Sequence, residues 1–442
     1  MSAAADKTEC VTGIGKLNHN ASSNSARARR PDSAIFVFLA PVLEGIRVLD
    51  LSSIVAGPTA SMILSDLGAD IIKVERNGGE DGRAMGPFRG EWGAYFVALN
   101  RGKRSITLDL AKSEGREVVL RLASGCDVFL ENFRGGKAAA LGLDEQAIRA
   151  RKPDIIYASL SAYGPSGPDY TKPGYDAVLQ ARTGIMSVTG TGEGHPMRTG
   201  VSILDVTTGT WMALGILAAL LERKNSGKGQ RVDASLFQTG ILFMAYHLVY
   251  RQFLGIDPQP QGARHKAFAP YGSLPTGDGQ IMLGISSDRQ FHRLCVALGH
   301  EEWATDARFR TNPDRVANVD ELESLIGGVL RTQATSHWVA LFDEHDIAND
   351  PIQSPGQVLQ DPQAAALGLF TQINLTGEQS IVLPRLPIGL SLTPPAPQGP
   401  PPSTGEHGRA ILHEAGYSDV EIDELIRLGA CGIPKDQPGE HA

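Results

Sequence analysis

Cysteine is scarce. Cys10, Cys126, Cys295 and Cys431 are the only four in 442 residues, and no two form a CxxC pair. That excludes a disulfide framework and zinc-ligand spacing. It suits a reducing compartment, so the expected location is cytoplasmic. A basic excess is missing too. Lys and Arg number 41 against 49 Asp and Glu, a formal charge of −8. The totals give no lead towards nucleic acid, although a local cationic pocket for an anionic ligand stays open. No run reaches the ~18 apolar residues of a membrane helix, so no membrane partner is expected. Residues 211–221 and 241–250 read instead as buried core helices.

Familiar nucleotide and hydrolase motifs are absent as well. There is no GxxxxGK[ST] loop, no GxGxxG after a strand, no GxSxG elbow and no HExxH. Nucleotide hydrolysis, serine hydrolysis and zinc proteolysis lose their usual signals. Residues 190–194 are glycine-rich but wrongly spaced for phosphate. Eleven histidines are scattered without metal spacing, so neither a metal site nor a permanently bound cofactor is expected.

What is present is enough chain for two domains and enough apolar residue, 42%, to exclude general disorder. Residues 1–42 differ in kind. They are rich in Ala, Ser and Asn and hold Arg27, Arg29 and Arg30, but also Asp6, Glu9 and Asp32. Transit peptides are poor in acids, so this segment reads as a disordered or over-long N-terminus.

Residues 43–254 alternate strand and helix. Ile46–Leu51 and Asp70–Glu75 read as strands around a helix opened by Gly57-Pro58 and ended by Gly68. Strands at 105–110, 127–132 and 154–160 follow, with helices at 113–123 and 144–151 between them. A helix at 207–224, apolar nearly all round, should be deeply buried. A strand at 231–234 and a helix at 236–253 complete the run. This alternation predicts an α/β fold: a Rossmann-like large domain with a parallel sheet and ligands at the carboxyl ends of its strands. Residues 255–360 read as a smaller α+β domain, with a hairpin around Thr276–Gly279. Residues 361–442 return with a second hairpin near Gly377, six prolines in 394–402 and C-terminal helices that dock on the large domain.

Asp205 stands just before the apolar helix. Position alone favours a helix cap. The alternative is a carboxylate nucleophile kept ionised by the helix N-terminus.

Several motifs occur in order: LEGIRVLDLSSIVAGP (43–58), DLGADIIKVER (66–76), NRGKRSITLDL (100–110), DVFLENF (127–133), KPGYDAV (172–178), LDVTTG (204–209), SGKGQRVDASL (226–236) and GEHG (405–408). Together they resemble the class III CoA-transferases, the family of formyl-CoA and carnitine CoA-transferases and α-methylacyl-CoA racemases. The resemblance implies two chains threaded into an interlocked homodimer. It implies Asp205 as the catalytic aspartate, with a CoA thioester as substrate and a small carboxylate as partner. It implies CoA contacts at Val55, Ala56, Arg76, Leu108, Asn132, Phe133, Tyr175 and Asp176. Arg134 and Lys137 lie in the loop after the strand at 127–132, a place for cations to meet phosphate. A second family arginine falls at Ala140, which Lys137 would replace. Formyl-CoA transferases carry Gln at Val55, so a side-chain donor is missing here. The racemases place His at Tyr175, and tyrosine is a poor base at neutrality, which favours transfer. Arg264 and His265 lie in a pattern similar to dicarboxylate-specific members, pointing to succinyl-CoA as donor and a distal carboxylate on the acceptor. Racemisation, and CoA binding without turnover, remain the other readings.

Overall fold

The computed structural model describes residues 40–191, 195–375 and 379–432. Residues 1–39, 192–194 of the glycine-rich loop, 376–378 at the Gly377 turn and 433–442 lie outside the described residues.

Six parallel strands build the main sheet: β1 Arg47–Asp50, β2 Asp70–Glu75, β3 Arg104–Leu108, β4 Val128–Glu131, β5 Ile156–Ser161 and β6 Arg231–Ser235. They lie in the order β3-β2-β1-β4-β5-β6, and Cys431–Gly432 adds an antiparallel edge to β3. Successive strand residues face opposite sides. Val48, Ile71, Leu130 and Ile156 enter one core, while Leu49, Ile72, Phe129 and Tyr157 enter the other. Both faces are covered, so the central strands β1, β2, β4 and β5 place apolar residues on both sides. The first face carries α1 (Ala56–Asp66) and the long α3 (Ile203–Ser226), with α2 (Asp176–Thr183) beside them. The second is covered by helix 113–124 and by the C-terminal helices 408–414 and 419–427, through Ile411, Leu412, Ile422 and Leu425.

A separate core surrounds the antiparallel strands Tyr271–Pro275, Gln280–Gly284 and Asn349–Pro351, packed with helices 288–298, 319–330 and 335–344. The return segment pairs Phe370–Leu375 with Gln379–Pro384. The proline-rich stretch then runs along the large sheet, where Ala396 N–H donates to Asp66 O at 2.9 Å and Gly102 N–H to Pro400 O at 3.1 Å. Cys126, Cys295 and Cys431 are buried free thiols.

Two helices depart from the expectation. The first, α3, begins at Ile203 rather than Thr207, which puts Asp205 inside its first turn. Its opening N–H groups are taken by the carboxylate of Asp176 on α2, a partner that local sequence cannot reveal. Nor is α3 buried all round. By length and composition it could cross a bilayer, yet one face packs on α1 while Trp211, Leu214 and Leu221 are exposed in the single chain. The helix expected at 236–253 breaks at Met244, whose buried side chain reaches Gly184, leaving helices 236–243 and 245–254.

The α1–α3 contact depends on Gly209. A Cβ there would lie 2.4 Å from the Ala56 carbonyl oxygen and 2.7 Å from Thr59 Cβ. Gly209→Val therefore has to push two helices apart, an overpacking cost of about 1–3 kcal/mol. Urea unfolding should show a lower midpoint; an unchanged midpoint would contradict this close approach.

Candidate active site

The strand order reverses between β1 and β4, and an open parallel sheet forms a crevice beyond the carboxyl ends at that point. Leu51-Ser52-Ser53-Ile54-Val55 leaves β1 there and leads into α1. Asn132-Phe133 leaves β4.

The loop after β1 is held residue by residue. Asp50 accepts from Ser52 N–H at 2.8 Å, and Lys73 Nζ donates to Ser52 O at 3.0 Å. Asn132 clamps Ser53 from both sides, accepting its N–H at 3.0 Å and donating to its carbonyl at 2.9 Å. Glu80 accepts the Ile54 N–H at 3.0 Å, and Lys103 donates to Pro58 O at 3.2 Å. Asp50, Lys73, Glu80 and Lys103 are all buried. Ile54 has φ 73°, a left-handed conformation that is costly for a β-branched residue. Val55, Ala56 and Gly57 follow at the helix N-terminus, where N–H groups have no preceding carbonyl to meet.

Asp205 faces this loop across a cleft of about 300 Å³, lined by Ile54, Val55, Ala56, Asn132, Phe133, Arg134 and Tyr175 among others. Among the described residues no donor reaches its carboxylate. The capping role belongs to Asp176 instead. Its buried carboxylate accepts Leu204 N–H at 2.7 Å, Asp205 N–H at 3.1 Å and Gln180 Nε2 at 2.5 Å. Burial, and then the like charge of Asp176, push the Asp205 carboxyl up to about 7. The helix N-terminus opposes that shift without cancelling it.

A second cleft of about 670 Å³ adjoins the first through Ser53 and Phe133 and contains Arg76, Leu108 and Lys137. The Arg76 side chain is 68% exposed and pairs with Asp81 at 2.5 Å. Such a surface pair is worth at most about 1 kcal/mol, so an anion can compete for the guanidinium. Lys137 opens the short helix Lys137–Leu141 and has no ion pair among the described residues. Arg134 donates to the Thr171 carbonyl. The two clefts thus gather Asp205, Val55, Ala56, Arg76, Leu108, Asn132, Phe133, Arg134, Lys137 and Tyr175, with Asp176 buried behind them.

Arg264 and His265 are not brought to Asp205 within this chain. They line another cleft, of about 540 Å³, that shares no residue with the first. Arg264 pairs there with Asp320 at 2.8 Å and Glu323 at 2.7 Å. The His265 ring packs 5.0 Å from Phe268 and 5.1 Å from Tyr271. Conversely, the sequence reading missed Asp50, Lys73, Glu80 and Lys103. A signal existed for two of them: Asp50 and Lys73 are charges inside otherwise apolar strands, and a buried charge needs a partner.

Comparison with known proteins gives a consistent result. CoA-transferase family III matches residues 43–408. The succinate–glutarate CoA-transferase of Agrobacterium fabrum is 38% identical, covering 85% of this chain and 96% of that protein. The human succinyl-CoA:glutarate CoA-transferase is 35% identical, over 88% of this chain and 89% of its own length. A crystal structure of a CAIB/BAIF family protein from Brucella suis superposes with a TM-score of 0.79 at 37% identity, covering 85% of this chain and all of that one. The switch-point clefts and the unpartnered Asp205 are therefore features of a member of the class III CoA-transferase family.

Proposed function

We propose that this chain moves CoA between succinyl-CoA and a small dicarboxylic acid through covalent chemistry on Asp205. The observation that carries this is the Asp205 carboxylate, free of donors and facing the N–H-bearing loop at Val55–Ala56. The choice of acids follows the printed activities of the relatives.

The steps balance without ATP. An Asp205 oxygen attacks the succinyl thioester carbonyl; the C–S bond breaks and CoA leaves as thiolate. The thiolate attacks the aspartyl carbonyl of the resulting anhydride. The anhydride C–O bond breaks, succinate departs, and an aspartyl-CoA thioester remains. The acceptor carboxylate attacks that thioester and expels thiolate again. Thiolate attack on the acceptor's carbonyl then frees the new acyl-CoA and the Asp205 carboxylate. Covalent catalysis splits one exchange into easier displacements. Each passes through an oxyanion, and the Val55 and Ala56 N–H groups at the start of α1 are suited to receive it. Arg76, Arg134 and Lys137 supply cations for the CoA phosphates.

The working unit is inferred to be a cytoplasmic homodimer. In support, Trp211, Leu214 and Leu221 of α3 and Leu242, Tyr246 and Phe253 of the following helices are exposed apolar side chains in the single chain. A second copy would cover them.

Incubation with succinyl-CoA and mixed carboxylic acids should yield a new acyl-CoA as succinate appears, read by mass spectrometry. No exchange would move the weight to racemisation of 2-methylacyl-CoA or to binding alone. Asp205→Asn should lower exchange by at least about 10³-fold while CoA still binds; unimpaired exchange would sink the mechanism.

The pH profile tests the same carboxylate. Only the ionised form attacks, so the rate should fall below a midpoint of about 7. Asp176→Asn removes the like charge, lowers the Asp205 pKa and should carry that acid limb to lower pH. A limb that stays in place would remove Asp176 from the electrostatics of the site.

A further inference from the structure

Glu80 is the least expected member of the machinery around the loop. It follows Gly78 and Gly79, both left-handed at φ 90° and 92°, in a turn that returns the chain beneath β1. It is 7% exposed, and its own N–H donates to Glu75 Oε2 at 3.1 Å. One carboxylate oxygen, Oε2, takes the Ile54 N–H at 3.0 Å and lies 3.6 Å from Lys73 Nζ. The other, Oε1, is buried with no hydrogen-bond partner among the described residues. A buried carboxylate left half-satisfied is a poor device for stability. Its satisfied half falls on Ile54, whose left-handed backbone is strained.

Ile54 at φ 73° would relax towards the right-handed or extended region if nothing held it. Rotation about Ile54 redirects the next two peptide planes. Those planes carry the N–H groups of Val55 and Ala56, which line the Asp205 cleft.

We propose that Glu80 is a positioning residue: by gripping the Ile54 N–H it keeps the Val55 and Ala56 N–H groups aimed at the reacting carbonyl. The inference rests on the transfer reading above. Glu80 touches no reacting atom; it acts through the backbone of residues 54–56. Its acceptor oxygen, rather than its charge, carries the role.

The test uses the full-length enzyme with succinyl-CoA and isotopically labelled succinate, so no acceptor need be identified. Glu80→Ala should lower kcat for label exchange by about 10²-fold, the scale of losing an oxyanion donor. CoA affinity by calorimetry should stay within about twofold, because transition-state contacts rather than ground-state ones are lost. Glu80→Gln keeps an acceptor and should recover most of kcat. Should Glu80→Ala fail to fold, Glu80→Met fills the space without an acceptor and serves in the same comparison. Unchanged kcat without the acceptor overturns the proposal, whatever happens to thermal stability. So does a matching loss in Glu80→Gln, which would assign the effect to charge, or a parallel loss of CoA affinity. A wild-type enzyme that exchanges no label sinks the transfer reading itself, and the role of Glu80 with it.

Discussion

The site stands on a knot of buried charge below the loop that follows β1. Asp50 and Lys103 approach to 3.5 Å, and Lys73 and Glu80 to 3.6 Å, with side chains almost completely out of water. Two basic and two acidic groups pair. Each also bonds outside its ion pair: Asp50 to Ser52 and Ser61, Lys73 to the Ser52 carbonyl, Lys103 to Pro58 and Asn100, Glu80 to Ile54. Burial pushes the Asp50 carboxyl up, but Lys103, Lys73 and the two serine hydroxyls outweigh it and hold it low. Burial drives Glu80 up and Lys103 down. Such a knot contributes little net stability over an apolar core, while removing one member costs about 3–5 kcal/mol. Its value is geometric: the four side chains fix four backbone groups, three in the short loop and one in the first turn of α1.

Two carboxylates share the N-terminus of α3 and are used in opposite ways. Asp176 is saturated with donors and anchors the helix. Asp205, inside the first turn, meets no donor among the described residues and has its lone pairs open to the cleft. The like charge of the anchor then helps to raise the carboxyl it positions. A nucleophile with a higher pKa is more basic, at the expense of being partly protonated near neutrality. Close packing at Gly209 brings this pair onto the start of α1, so the Asp205 carboxylate and the N–H groups of Val55 and Ala56 sit on two helices in contact.

Much of the fold was legible because it is local. The strand Asp70–Glu75 was read to the residue, and helix 113–124 to within one, since apolar periodicity and glycine breaks are written in the segment itself. The ordered motifs pointed to the family and to Asp205. The start of α3 was misplaced because its acceptor lies 29 residues upstream of Asp205, on another helix. The break at Met244 escaped notice because a helical period runs through it, and a tertiary contact with Gly184 accompanies the turn. Arg264, expected to meet a substrate carboxylate, lies in this chain beside acids that its own segment does not show. The acids that hold it, Asp320 and Glu323, arrive from a helix more than fifty residues away.

By itself the sequence determined the parallel α/β architecture and the family, and it singled out Asp205 as the candidate carboxylate. Those depend on periodicity, turn chemistry and motif order, which neighbouring residues encode. Only the tertiary structure decided which carboxylate caps and which stays free, which buried charges grip the loop, and that Ile54 is held left-handed beside the cleft. Those depend on distances between segments remote in the chain, and a hydrogen bond or an ion pair exists only once packing has brought its two ends within about 3–4 Å.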